Sequence, residues 1–183
     1  MRIRNTEHGY GWLTIVLHWL VALSVFGLFG LGLFMVDLSY YSSWYQTAPN
    51  IHKSVGVLLF FTMLFRLFWR VINPNTASPA NHKNWEKTGA KLGHFLLYVV
   101  LFSLMISGYL ISTADGRAIS VFSWFDVPAS ITHIQQQEEI AGDIHEVLAW
   151  SLMVLVAGHA LAALKHHFID KDSTLVRMLK STK

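Results

Sequence analysis

The amino-acid sequence predicts an all-α integral membrane protein, a four-helix bundle with both termini on the cytoplasmic side. Three observations predict it: four long apolar runs, sparse and clustered charges, and a one-sided distribution of Lys and Arg. Of 183 residues, 53% are hydrophobic and only 14% charged, against roughly 25% charged in a soluble domain. The mean hydropathy is +0.41. This composition argues against a water-soluble enzyme, a disordered chain and a nucleic-acid binder, despite a pI of about 9.2. The chain has no cysteine, so disulfides, thiolate zinc, Cys-ligated iron–sulfur clusters and covalent c-type haem are all ruled out.

The first apolar run covers 13–36 without a charge, roughly 36 Å as a helix. It is too long for a signal-peptide core, and no small-x-small cleavage site follows, so it reads as a retained span. The second, 51–72, is interrupted in its interior by Arg66, which must snorkel or meet an anion. The third covers 92–114 and the fourth about 142–165. No repeat or second domain is visible, so 1–183 reads as one transmembrane domain. Twelve of the 14 basic residues fall before the first span, around the second connection or after the fourth. That side should be cytoplasmic. Only Lys53 and Arg117 fall on the other side, where the connections 37–50 and 115–141 lie.

Ten histidines are the informative feature, because an intramembrane ionisable residue is costly and marks a functional site by default. His18 lies five positions into the first span, and His159 five positions before Leu164 in the fourth, so both sit at the inner level. His52 opens the second span and His145 stands near the start of the fourth, both at the outer level. His145 and His159 are 14 apart, about 1400° of helical rotation and within about 40° of whole turns, with roughly 21 Å of rise. They share a face with Ala149, Leu152 and Val156 between them. A lone membrane His commonly serves as an interhelical hydrogen-bonding residue. Four at two matched depths instead suit two stacked haems, with His18 paired to His159 and His52 to His145. Zinc suits less, since two His per level supply too few ligands.

Arg66 is 14 positions after His52 and so shares its face at the inner level. There it either pairs with inner haem propionates or is an ordinary positive-inside arginine. Lys53 likewise meets outer propionates or headgroups. His94 is the spare inner histidine: an alternative ligand to His18, a propionate or quinone partner, or a structural residue. His8, His82 and His133 read as solvated loop residues, and His166 and His167 as interfacial ones.

These residues resemble the bacterial cytochrome b561 family over nearly the whole chain. The resemblance is carried by Leu17-His18-Trp19-Leu20, His52-Lys53-Ser54-Val55-Gly56, Leu92-Gly93-His94 with Tyr98, Ile144-His145-Glu146, and Gly158-His159-Ala160. The tail from Lys165-His166-His167-Phe168 through Lys171-Asp172-Ser173-Thr174-Leu175 completes it. The resemblance implies two b-type haems with His18, His52, His145 and His159 as axial ligands, ubiquinone or menaquinone as partner, and the bacterial inner membrane as location. One branch of that family oxidises superoxide at the outer face and passes the electrons to ubiquinone. This chain departs from a superoxide-collecting design, because its outer side carries Lys53 and Arg117 against seven carboxylates, a balance of −5. An acidic mouth repels superoxide, while Lys53 and Arg117 could still make a local basic pocket.

The sequence therefore predicts electron transfer through two bis-His b haems between a periplasmic reactant and the membrane quinone pool. The alternatives are a superoxide:ubiquinone oxidoreductase and, from another class, a His-lined metal or haem transporter. The long aromatic outer segment is expected to act as a lid or to dock a periplasmic redox partner.

Overall fold

The computed structural model describes residues 2–77, 79, 82–132 and 134–181. It is dominated by four long helices: α1 (Trp12–Val36), α2 (Thr47–Ile72), α3 (Asn84–Ser112) and α4 (Gln137–Phe168). A two-stranded antiparallel hairpin, β1 (Ile119–Val121) and β2 (Phe125–Val127), separates α3 from α4, and a short α5 (Thr174–Arg177) follows. All four long helices are apolar enough and long enough to cross a membrane. The expected four-helix membrane class is the one observed.

The helices begin where local chemistry satisfies their first amides. Asn5 Oδ1 accepts from the Gly11 amide at 3.0 Å and from Thr14 Oγ1 at 2.7 Å, which folds the N-terminal segment onto the first turn of α1. A side chain on Gly11 would run into the Ile3 carbonyl. Pro49 falls in the first turn of α2, where its missing N–H costs nothing. At the other end, Asn73 Nδ2 donates to the Trp69 carbonyl at 2.8 Å just before Pro74. Glu86 reaches back to the Lys83 amide at 2.9 Å, a capping arrangement for α3. Glu138 and Glu139 in the first turn of α4, and Lys165, His166 and His167 in the last, complement its dipole.

Three helices extend beyond the apolar runs that revealed them. α2 starts at Thr47, α3 at Asn84 and α4 at Gln137, because a helix continues through polar residues once its core-facing turns are held. The hairpin is stapled by the Trp124 amide donating to the Val121 carbonyl at 2.8 Å. Phe122 and Ser123 take φ of 48° and 59°, left-handed values that are strained for a bulky aromatic residue.

The chain clusters into two compact units. A terminal unit comprises 1–20, 62–99 and 151–183, and a hairpin unit comprises 21–61 and 100–150. Each long helix contributes one segment to each. Buried apolar side chains are few, among them Leu17, Leu59, Met63, Leu101 and Leu152. Val147, Val154 and Leu161, seven residues apart on α4, are 65–72% exposed. In a bilayer that face meets lipid, and backbone polarity is satisfied within the helices.

Candidate haem-binding site

In the hairpin unit, α2 presents His52 and α4 presents His145, with ring centres 6.3 Å apart and planes at 64°. α3 carries neither residue, yet it sets the orientation of His145. His145 Nδ1 donates to the Leu104 carbonyl at 3.0 Å, and Ser107 Oγ lies 3.0 Å from the same nitrogen. Ser107 spends its own proton on Leu104 O at 2.8 Å, so its oxygen accepts from His145. Nδ1 therefore carries the proton, which leaves Nε2 with a free lone pair, the tautomer a metal ligand needs. Gly108 makes this approach possible, since a Cβ there would lie 3.1 Å from His145 Cε1. His52 Nδ1 is buried without a hydrogen-bond partner. Gly32 of α1 lies beside the same ring, where a Cβ would meet His52 Cε1 at an ordinary 3.5 Å.

In the terminal unit, His18 of α1 and His159 of α4 have ring centres 6.2 Å apart with planes at 60°. Ring centres just over 6 Å apart leave room for a metal ion between the two rings, so both pairs fit a group held by two imidazoles. His94 lies 5.4 Å from His159, closer than the rings of either pair. Arg66 Nη2 donates to His18 Nδ1 at 3.0 Å, and the guanidinium carbons of Arg66 and Arg70 lie 5.9 and 5.6 Å from the Tyr98 ring centre.

All four half-buried histidines singled out from sequence are thus brought together in the two expected pairs. Arg66 is beside the His18–His159 pair, and Lys53 follows His52 on α2. Ser54, next along, is 2% exposed; it bonds the Ser120 carbonyl at 3.4 Å and accepts from the Phe122 amide at 3.2 Å, which ties the strained hairpin to the helix turn that holds His52. Arg117 does not stand free beside Lys53. It grips Asp115 through Nη2 at 2.5 Å and Nε at 2.6 Å, and these bonds hold the Asp115 carboxyl below its ordinary range.

Sequence reasoning missed Ser107, because one hydroxyl in an apolar span carries no periodic signal. The neighbouring Gly108 was the available clue. It also misread His82, which is not a solvated loop residue. His82 Nε2 bonds Asp172 Oδ2 at 2.7 Å and its ring stacks on His166 at 4.3 Å. Burial opposes ionisation of Asp172, but bonds from Thr174 and His82 outweigh it and hold the carboxyl at about 2. Lys165 joins Glu86 and Asp170, each at 2.6 Å. His82, His166 and Asp172 ligand atoms lie within 4.8 Å of one another, yet rings only 26° from parallel cannot both aim an in-plane lone pair at one ion. His8 is exposed as expected, and His133 lies outside the described residues.

Long apolar helices carrying facing imidazole pairs define a multi-pass membrane protein suited to a bis-imidazole metal centre. The profile of the prokaryotic cytochrome b561 family matches residues 9–181. The chain is 51% identical over 179 residues to cytochrome b561 homolog 2 of Escherichia coli strain K12, a match covering 98% of this chain and 95% of that one. Cytochrome b561 homolog 1 of the same organism is 32% identical over 144 residues, 78% of this chain and 80% of that one. A probable superoxide oxidase CybB of Yersinia pestis is 28% identical over 176 residues, 93% and 95% of the two chains. The protein therefore belongs to the prokaryotic cytochrome b561 family of membrane electron-transfer proteins, which implies b-type haem.

Proposed function

We propose that this chain, acting over 1–183 as one transmembrane unit, carries electrons between a periplasmic reactant and the quinone pool, ubiquinone or menaquinone, of the bacterial inner membrane. His18 with His159, and His52 with His145, would each hold one b haem. The observation that supports this most is the pair of ring separations, 6.2 and 6.3 Å. When bound, haem supplies reversible one-electron iron chemistry. The protein supplies ligation, tautomer control and charge. Ser107 and Leu104 keep the proton of His145 on Nδ1. A guanidinium only donates, so Arg66 on His18 Nδ1 places the proton of His18 on Nε2 in the arrangement seen. Ligation through Nε2 requires the other tautomer, and Arg66 then needs a new acceptor; a haem propionate is an anion that suits it. Lys53 is proposed to serve the second haem in the same way. The excess of bases at the termini and second connection supports a cytoplasmic location for both termini.

A second reading, superoxide:quinone oxidoreductase, rests on the 28% identical relative named a probable superoxide oxidase. The outer balance of −5 and the engagement of Arg117 by Asp115 favour a protein partner instead. One experiment tests both. Purified holoprotein should show reducible paired b-haem bands, and stopped-flow mixing with superoxide plus quinone should give slow superoxide decay. A colourless, metal-loading protein would defeat electron transfer. Fast quinone-dependent decay would make the enzyme reading the right one. A periplasm-specific reporter enzyme fused after Asn50 should be active, and after Asn75 inactive; the reverse would overturn the orientation.

A further inference from the structure

Within the hairpin unit, β1 and β2 fold back along α2. The Ser54 hydroxyl bonds the Ser120 carbonyl at 3.4 Å and accepts from the Phe122 amide at 3.2 Å. Ile119 and Val121 of β1 are 5% and 0% exposed, so one face of the hairpin is packed shut. The chain leaving β2 is held as well: the Tyr109 hydroxyl of α3 donates to the Pro128 carbonyl at 2.8 Å and accepts from the Ser130 amide at 2.7 Å. Between these anchors, 118–125 carries no charge. Its turn presents Phe122, Trp124 and Phe125, which are 40%, 73% and 41% exposed.

Depth is what makes this turn unusual. The Phe125 ring lies 6.5 Å from that of Phe61. Phe61 stands eight residues after Lys53 and five before Arg66, which puts roughly 12 Å of apolar helix between it and the Lys53 charge. It is also half exposed, on a helix long and apolar enough to cross a membrane. A half-exposed phenyl in the interior of such a span faces acyl chains, not water. Through Phe125 the hairpin therefore reaches a level on α2 that lipid occupies. Asp126 limits the depth. It stands opposite Ser120 in register, and both are exposed. The Val121–Phe125 pair turns to the other face, toward α2, so the carboxylate is free to meet headgroups.

We propose that the turn 122–125 is immersed in the headgroup–acyl boundary of the bilayer, so that lipid covers its aromatic side chains. The aromatic-rich, uncharged turn suits that boundary: Trp is enriched where one end of a ring is apolar and the other wet, and Phe adds apolar area that interfacial elements bury there. A soluble protein fits less well, because it would have to displace headgroups to cover a ring that rests beside Phe61. The proposal follows from the membrane-spanning helices alone and is independent of what the histidine pairs carry.

The chain has no cysteine, so single nitroxide labels can be placed without further change. The test uses purified holoprotein in vesicles of phosphatidylethanolamine and phosphatidylglycerol, labelled at Ser123→Cys, Trp124→Cys or Arg117→Cys. Ser123→Cys leaves all three aromatic rings of the turn in place. Arg117, 86% exposed in its side chain near the base of the hairpin, is the aqueous reference. Power saturation of the electron paramagnetic resonance signal compares collisions with oxygen, which concentrates in lipid, and with a water-soluble nickel chelate. At 123 and 124 the oxygen-to-nickel ratio should exceed that at 117 several-fold, with nickel access largely lost. A ratio no higher than at 117 at either site, in protein that keeps the helical circular dichroism of the wild type, would overturn the proposal and leave the turn in water, open to a soluble partner. Should one of the two variants fail to fold, the other still decides.

Discussion

His145 is held by uncharged partners, the Leu104 carbonyl and the Ser107 hydroxyl, both at 3.0 Å from Nδ1. His18 instead meets a cation, Arg66 Nη2, at 3.0 Å, and Arg70 approaches the same Tyr98 ring as Arg66. The same residue type at nearly the same ring separation is thus placed in two electrostatic settings. If each pair holds a haem, as proposed, its surroundings decide how readily that centre takes an electron, through hydrogen bonding and local charge. Positive charge beside the His18–His159 pair would then favour the reduced state, while neutral dipoles around the His52–His145 pair would chiefly control orientation.

The strongest way to break this comparison is to remove ligands one at a time. His145→Ala or His52→Ala should lower haem content from two per chain to one, and His18→Ala or His159→Ala should remove the other haem. Pyridine haemochrome quantification reads the stoichiometry, and two low-spin haems retained in His145→Ala would end the pairing. His94→Ala should keep both haems, since His94 is 5.4 Å from His159, and loss of a haem there would make it a ligand in place of His18.

A weaker perturbation contrasts the two glycine contacts around the second pair. Gly108→Val drives methyl groups into a ring that a plain Cβ would already meet at 3.1 Å, whereas Gly32→Ala meets His52 at 3.5 Å. The first should displace His145 and deplete that haem, and the second should leave the spectrum unchanged. Equal tolerance at both positions would show that helix α3 can give way, and that Gly108 does not set the approach.

Arg66→Gln addresses the electrostatic half of the comparison. At an effective dielectric of ~20 and roughly 8 Å, a unit charge is worth about 2 kcal/mol, on the order of 50–100 mV for one electron. The potential of the His18–His159 centre should fall by that order in a redox titration, with the other centre unmoved. An equal shift in both would mean that Arg66 acts through the net field of the protein.

The sequence made these settings legible to different degrees, for physical reasons. The helices were visible because lipid demands uninterrupted apolar turns. The first turns of α3, through Lys87 and Lys91, were not, since no apolar pressure acts there. Pairing of the histidines followed from depth and from the 14-residue spacing on α4. Ser107 contacts His145 across 38 positions, and His82 meets Asp172 across 90, so neither partner leaves a local trace. The hairpin was read only as an aromatic segment, because Phe122 and Ser123 adopt left-handed φ without the Gly or Asn that ordinarily signals such a turn.

The smallest expected effect concerns charge in the connection between α3 and α4, where the structure reshapes the expectation of a basic pocket. Arg117 is 86% exposed in its side chain and already bound to Asp115 at 2.5 Å. Its guanidinium is pushed above its ordinary range by that carboxylate, and the carboxyl is held below its own. Both groups therefore stay ionised from neutrality down through the usual carboxylate range. The pair is lost only when acid protonates Asp115 at its lowered pKa, and Arg117 then becomes a free cation. Between pH 5 and 8, the part of superoxide attraction due to Arg117 should be flat and small. Arg117→Gln should change the second-order rate of haem reduction by less than about twofold, in line with an exposed ion pair. Lys53→Gln should matter more if the anion is drawn to that side. Salt supplies the sign: screening slows an attraction and speeds a repulsion, so the −5 balance predicts superoxide reduction that quickens modestly as ionic strength rises, and a cationic protein donor that slows. Superoxide reduction slowed by salt, and lost in the Lys53→Gln, Arg117→Gln double variant, would show that two local cations outweigh the acidic surface.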